Sequence, residues 1–238
     1  SLHNSINHNY LNIQLSQERK VVDPEKFELT LGHCQTLPNK KQIWFPYILY
    51  RDPVNYLYKN RLNNNPSKFC CFIVFNHRCD MRNKFFDYVN DNYKKVEALG
   101  KHKRNVSEEE ASYIEKYNIH DHRYLEVLSK YKFMICFENE SEPFYLTEKL
   151  GNAYIAGCIP IYWGMKNVEN FLNSKAFIHV KDYNDFSNIL NTIKEIDTND
   201  DLYNQIRSQP LFKDDKIPDI FTKDYYVNKL NECFKNLH

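Results

Sequence analysis

Residues 137–164, FENESEPFYLTEKLGNAYIAGCIPIYWG, decide the fold. The preceding run KFMICF, Lys132 to Phe137, is compact and apolar and predicts a buried strand. ENESEPF then breaks the pattern with charge and with Pro143. Thr147 is a good N-cap, and Glu148 and Lys149 fall in the first helical turn behind it. Leu150, Ala153, Tyr154 and Gly157 follow at helical spacing and predict one packing face. Gly157 suits a helix end, and CIPIYW returns as a second strand. Charged groups therefore gather where strand gives way to helix, the crevice where parallel α/β sheets bind ligands.

A helix N-terminus offers unpaired backbone N–H groups and partial positive charge, which suits a diphosphate. Lys149 adds a full charge at the same end, and Glu148 is placed to accept hydrogen bonds from a pair of sugar hydroxyls. A cation for phosphate beside a carboxylate for ribose is what a nucleotide-sugar site needs. On spacing alone the other reading has equal weight: Glu148 favours the helix dipole and Lys149 is solvated.

Upstream, KFCCFIVFNH (68–77) predicts the first strand of a nucleotide-binding unit. MRNKFFDYVNDNY then places Met81, Phe85, Tyr88 and Val89 on one helical face. That puts Arg82 at a second strand-to-helix junction, where its fork of donors suits a phosphate. Pairing with Asp80 is the alternative. KKVEALG (94–100) predicts the next strand, and Lys101, Lys103 and Arg104 make a basic loop that is either solvated or turned to a leaving group. Two short helices follow, the first capped by Ser107.

Beyond the central stretch, MKNVENFL predicts a short helix and KAFIHVKDY a short strand. DFSNILNTIKEI and DDLYNQIRSQPLF predict helices, the second stopped before Pro210. Residues 219–237 are amphipathic through Ile220, Tyr225, Val227, Leu230 and Phe234. At the other end, FELTLG (27–32) alternates as a strand, residues 1–16 are either a flexible arm or the tail of a strand near LNIQL, and QIWFPYILY (42–50) is an extended aromatic run. RDPVNYLYKNRLNNNPSK (51–68) is a helix or loop running into a linker. Its Asn cluster and Pro66 mark a boundary between residues 1–65 and 66–238.

Composition narrows the classes. Lys plus Arg number 32 against 31 for Asp plus Glu, so the net charge of +1 argues against a nucleic-acid or acidic-membrane binder. No apolar run reaches the length of a membrane span. The seven cysteines form no C-x-x-C pair, which argues against structural zinc. Their odd number, with no secretory leader in these residues, points to reduced thiols. Cys70, Cys71, Cys136 and Cys158 sit in apolar runs as small core residues.

The central stretch resembles the signature of the α1,3/4-fucosyltransferases, glycosyltransferase family 10, of the form FEN…Y(V/L)TEK…(N/D)A…(I/V)P(I/V)…G. Phe137, Glu138, Asn139, Tyr145, Thr147, Glu148, Lys149, Ala153, Pro160 and Gly164 all match it. The run IPIYWG is similar to bacterial members of the Helicobacter type. RNKFF at residues 82–86 matches the family's R-N-x-F-(F/Y), and the likeness extends over about residues 18 to 190.

The resemblance implies an α/β, GT-B-like fold: a Rossmann-like parallel-sheet nucleotide-sugar domain with a reduced N-terminal part. It implies transfer of fucose from GDP-fucose to a hydroxyl of an acceptor glycan, with inversion. Arg82 and Lys149 would grip the diphosphate, Glu148 the ribose, and Asn139 and Tyr145 the base, ribose or fucose, around the helix that Thr147 opens. No metal and no cofactor beyond the donor are expected. Aligned from Phe27, the family's general base falls on Glu18, with Glu25 and Glu28 as fallbacks. The surrounding SQERKVV departs from the family's E-S-P element. The short N-terminal part leaves room for a partner or further domain that completes the acceptor site. A cytoplasmic location is expected, with a membrane-associated longer form left open. Two alternatives stand beside this reading: a transferase for another nucleotide sugar, and a nucleotide-binding module without independent activity.

Overall fold

The computed structural model describes residues 13–16, 27, 29–33, 41–46, 48, 61–117, 119 and 121–235. Glu18, Glu25 and Glu28 lie outside these residues, as do Cys34 and residues 51–60.

Two parallel sheets organise the chain. The first contains β1 (Ile13–Ser16), β2 (Leu29–Gly32) and β3 (Gln42–Trp44), in that order. The second has five strands: β4 (Lys68–Phe72), β5 (Val96–Ala98), β6 (Tyr131–Phe137), β7 (Ile159–Trp163) and β8 (Ile178–His179). Their order is β5-β4-β6-β7-β8, and every pairing is parallel. The chain steps from β4 to β5 on one side, then crosses back to β6 on the other. The crevice between β4 and β6 is therefore the point where strand order reverses, and it is where ligands bind in such sheets.

Helices cover both faces, so the central strands are apolar almost throughout. On one face lie α1 (Asp80–Asn92), α5 (Phe186–Thr198) and α6 (Asp200–Arg207), which bury Phe85, Val89, Leu190, Ile193 and Tyr203. On the other lie α2 (Glu108–Lys116), α3 (His122–Leu128) and α4 (Glu148–Ile155), with Ile114, Leu125 and Leu150 in the core. Ser107 caps α2 in a full capping box with Glu110.

Four expectations need correction. The β4 pairing ends at Phe72, and the apolar run continues only as extended chain, with Phe75 already 53% exposed. MKNVENFL makes no more than a 3-10 turn at Val168–Asn170. In α4 the residues from Leu150 to Ile155 are all buried, because Ile48 from the N-terminal side also packs against this cluster; the helix has no solvent face there. Finally, α7 (Lys223–Lys235) returns to the first sheet, where Tyr226 packs with Leu29 and Ile43. Val227 and Phe234, read as part of its apolar face, are 43% and 40% exposed. Tyr225 and Leu230 do pack there and Ile220 on the larger core, so helical periodicity located the element and most of its buried stripe but missed Tyr226.

The segments that follow β4 and β5 meet at one close approach. A Cβ on Gly100 would lie 2.2 Å from the Val74 carbonyl oxygen and 2.5 Å from its backbone nitrogen. Gly100→Ala is expected to cost about 1–3 kcal/mol, read as a lower urea midpoint with an unchanged slope. Retained stability would mean that the two loops can part.

Candidate active site

The site grows from two neighbouring strand ends. β4 runs out into residues 73–79 and then α1, which carries Arg82 in its first turn. β6 runs out into residues 138–147 and then α4, which carries Glu148 and Lys149 in its first turn. Because β4 and β6 are hydrogen-bonded neighbours, the two helix N-termini open toward one crevice. A cavity of about 200 Å³ lies there. The polar residues Arg82, Asn139, Glu148, Lys149, Asn76 and Asn152 line it together with apolar ones that include Ile73 and Met134.

Arg82 is 1% exposed and is held by acceptors, not by Asp80. One guanidinium nitrogen donates to Asn139 Oδ1 at 2.9 Å, and the other to the Asn76 carbonyl and Oδ1, both at 3.1 Å. Its Nε is buried without a partner. Burial pulls its pKa below the ordinary arginine value, with Glu138 and Tyr145 among the groups acting the other way, and it stays charged at neutral pH.

Lys149 is neither merely solvated nor unpaired. Its ammonium donates to Glu138 Oε2 at 2.9 Å and to Thr147 Oγ1 at 2.8 Å. Glu138 is fully buried, while 19% of the Lys149 side chain remains exposed. Two of the three ammonium donors are thus used inside the protein, and the third is left for the cavity. Burial opposes the charge on Lys149, but Glu138 and Glu148 outweigh it and hold its pKa above the ordinary lysine range.

Thr147 occupies the predicted N-cap position, yet its side chain makes no capping bond. Its hydroxyl donates instead to Glu138 Oε2 at 2.6 Å, and its backbone N–H to Glu138 Oε1 at 2.8 Å. Neither Thr147 nor Tyr145 lines the cavity. Tyr145 is buried behind it, against Asn139; burial and the Glu138 carboxylate raise its phenol. Of the basic loop after β5, Lys103 pairs with Asp87 and Arg104 with Glu108 and Glu115, while Lys101 is exposed, and none of the three lines the cavity.

Two functional candidates escaped the sequence reading. Glu138 was legible as a motif position, but its role needs the fold: a carboxylate one residue past a buried strand, facing a lysine eleven residues on. Asn152 is 2% exposed, lines the cavity, and has a buried, unpartnered Oδ1. Its signal was available, because it lies one helical turn beyond Glu148 and so shares its face.

Comparison with known proteins bears on the whole arrangement. Residues 64–208 match the model described as Glycosyltransferase family 10 (fucosyltransferase) C-term. A putative fucosyltransferase of Acanthamoeba polyphaga mimivirus is 31% identical over 209 residues, covering 87% of this chain and 33% of that protein. The alpha-(1,3)-fucosyltransferase FucT of Helicobacter pylori is 33% identical over 135 residues, 57% of this chain and 26% of its own length. The chain thus spans a third or less of the curated relatives it matches. A crystal structure of an alpha1,3-fucosyltransferase with GDP-fucose superposes with a TM-score of 0.70 at 23% identity, over 94% of this chain and 75% of that one. At that identity the likeness speaks for the fold, which is α/β and GT-B-like.

Proposed function

The chain belongs to glycosyltransferase family 10, and on that premise we propose that it transfers fucose from GDP-fucose to a hydroxyl of an acceptor glycan. The observation that carries this reading is the meeting of Arg82 and Lys149, one from each junction, on one cavity that also holds Glu148 and Asn139. The diphosphate sits between the two cations and over the α4 N-terminus. When the bond from the sugar to the β-phosphate breaks, charge develops on the leaving GDP. Preset donors meet it without reorganising, an effect worth about 2.7–4 kcal/mol for each well-placed one. We assign no metal to the step.

Down the same face of α4, Glu148 accepts from the ribose hydroxyls and Asn152 meets the edge of the base. Asn139 couples Arg82 to Tyr145, and Thr147 couples Lys149 to Glu138. Attack by the acceptor hydroxyl from the opposite side of the sugar inverts the anomeric carbon and needs one base. Glu18, with Glu25 and Glu28 behind it, is our assignment for that base, on the N-terminal side of a boundary placed at residues 65 and 66. A partner or further domain would complete the acceptor side. We place the reaction in the cytoplasm.

The test is a panel of nucleotide sugars offered with and without glycan acceptors, with nucleotide release followed. GDP-fucose is expected to be consumed and its sugar transferred. Consumption of a different nucleotide sugar would move the chain to another donor. Stabilisation by GDP with no turnover of any donor would make it a binding module. The Glu148 assignment has its own test. Parent protein is expected to bind GDP at least about tenfold more tightly than 2′,3′-dideoxy-GDP, the loss of a hydrogen bond to a charged group. Glu148→Gln is expected to shrink that ratio; an unchanged ratio places the ribose elsewhere.

A further inference from the structure

The loop that carries Tyr145 and Thr147 to the site turns at Phe144, whose φ is +58°. A bulky side chain rarely adopts that left-handed region, and it persists there only where its surroundings hold it. The holding groups come from the first sheet. Trp44, the last residue of β3, donates its indole N–H to the Phe144 carbonyl at 2.7 Å. His33, one residue beyond β2, brings Nδ1 to 3.1 Å from the same oxygen. Both acceptor positions of a buried carbonyl are thereby filled from the N-terminal side. The Trp44 ring also meets Phe144 edge-on at 5.3 Å, and His33 stands edge-on to Tyr145 at 5.0 Å.

Trp44 is itself fixed from behind. It is 1% exposed, Phe171 and Phe221 lie 4.7 and 5.7 Å from its ring, and the Tyr226 hydroxyl donates to its carbonyl at 3.1 Å. Downstream of the turn, the connections lead straight to the cations. Thr147 holds Glu138, which holds Lys149, and Tyr145 lies against Asn139, which holds Arg82. Neither Trp44 nor His33 lines the cavity, so their influence on a nucleotide passes through the Phe144–Tyr145 turn they touch.

We propose that Trp44 and His33 are positioning residues for nucleotide binding, holding the left-handed turn at Phe144 so that the Tyr145–Lys149 segment is preset for the diphosphate. The first sheet is then part of the donor site although it touches no donor, and the C-terminal unit by itself binds nucleotide poorly. The proposal rests on the donor reading given above.

A double-mutant cycle on the whole chain tests it. GDP affinity is measured by calorimetry, with thermal unfolding alongside, for the parent, Trp44→Phe, Phe144→Gly and the two combined. Glycine takes the left-handed turn without a Cβ clash and so has less need of the indole. Trp44→Phe is expected to weaken GDP binding about tenfold in the parent background and under about threefold in the Phe144→Gly background, a coupling of the size contacting residues show. Equal losses in both backgrounds, or no loss in either, overturn the proposal. If Trp44→Phe does not fold, His33→Phe replaces it in the same cycle, with about a threefold loss expected in the parent background and none in the Phe144→Gly background, and equal losses again decisive against the proposal. A parent chain that fails to bind GDP overturns the donor reading and this proposal with it. A parent that binds, with no coupling in the cycle, overturns the proposal alone.

Discussion

Lys149→Met is expected to abolish GDP binding and also to destabilise the fold by about 3–5 kcal/mol. The second effect is the distinguishing one, because a lysine that merely faced a ligand would be cheap to lose. Here Glu138 is fully buried, and Lys149 supplies its compensating charge at 2.9 Å. Among the described residues, removing the cation leaves the carboxylate hydrogen-bonded by Thr147 alone, through its hydroxyl and backbone N–H, with Arg82 the remaining nearby cation. The double variant Glu138→Gln/Lys149→Met removes both charges and is expected to regain most of the stability, since a buried pair contributes little over a neutral replacement. It is not expected to regain nucleotide binding. Urea denaturation and calorimetry on the single and double variants separate the two quantities. A Lys149→Met protein as stable as the parent would show that Glu138 finds another partner, and the site would need redrawing.

Arg82→Ala is expected to weaken GDP binding by at least about 100-fold, the loss of charge-assisted hydrogen bonds worth about 1.5–3 kcal/mol each. Its effect on stability should be smaller. The acceptors it would release, the Asn76 carbonyl and Oδ1 and Asn139 Oδ1, belong to residues that line the cavity and can take water instead. Arg82→Lys should recover only a small part of the affinity. One ammonium cannot span Asn76 and Asn139 and still face a phosphate, as the guanidinium fork does. Calorimetry with GDP decides, and a Lys variant equal to the parent would mean that charge matters here and geometry does not. The two variants thus fail in different ways: Lys149 is needed by the fold and the ligand, Arg82 chiefly by the ligand.

Much of this was legible in the residues. Apolar runs such as KFCCF and KFMICF are strands because a strand buried on both faces has no polar alternation to keep. The first turns of α1 and α4 were placed correctly, since a charged break after such a run leaves few other conformations open to the chain. What periodicity read poorly were the elements whose second neighbour is far away in the chain. The helix α4 is enclosed on all sides because Ile48 reaches it from the N-terminal side. In α7, Tyr226 and not Val227 turns inward because its hydroxyl bonds the Trp44 and Ile220 carbonyls. No local pattern carries either fact.

The same division runs through the site. The residues alone determined an α/β chain with two strand-to-helix junctions, each opening a helix with a cation in its first turn, because strand and helix formation follow local burial and capping. Only the tertiary structure decided that those junctions are neighbours, since it is the β5-β4-β6 order that sets β4 beside β6. It also decided that Glu138 spends its charge on Lys149, and that a tryptophan one hundred positions away holds the Phe144 turn. Ion pairs and hydrogen bonds in a low-dielectric interior depend on distance in space, and sequence separation does not encode it.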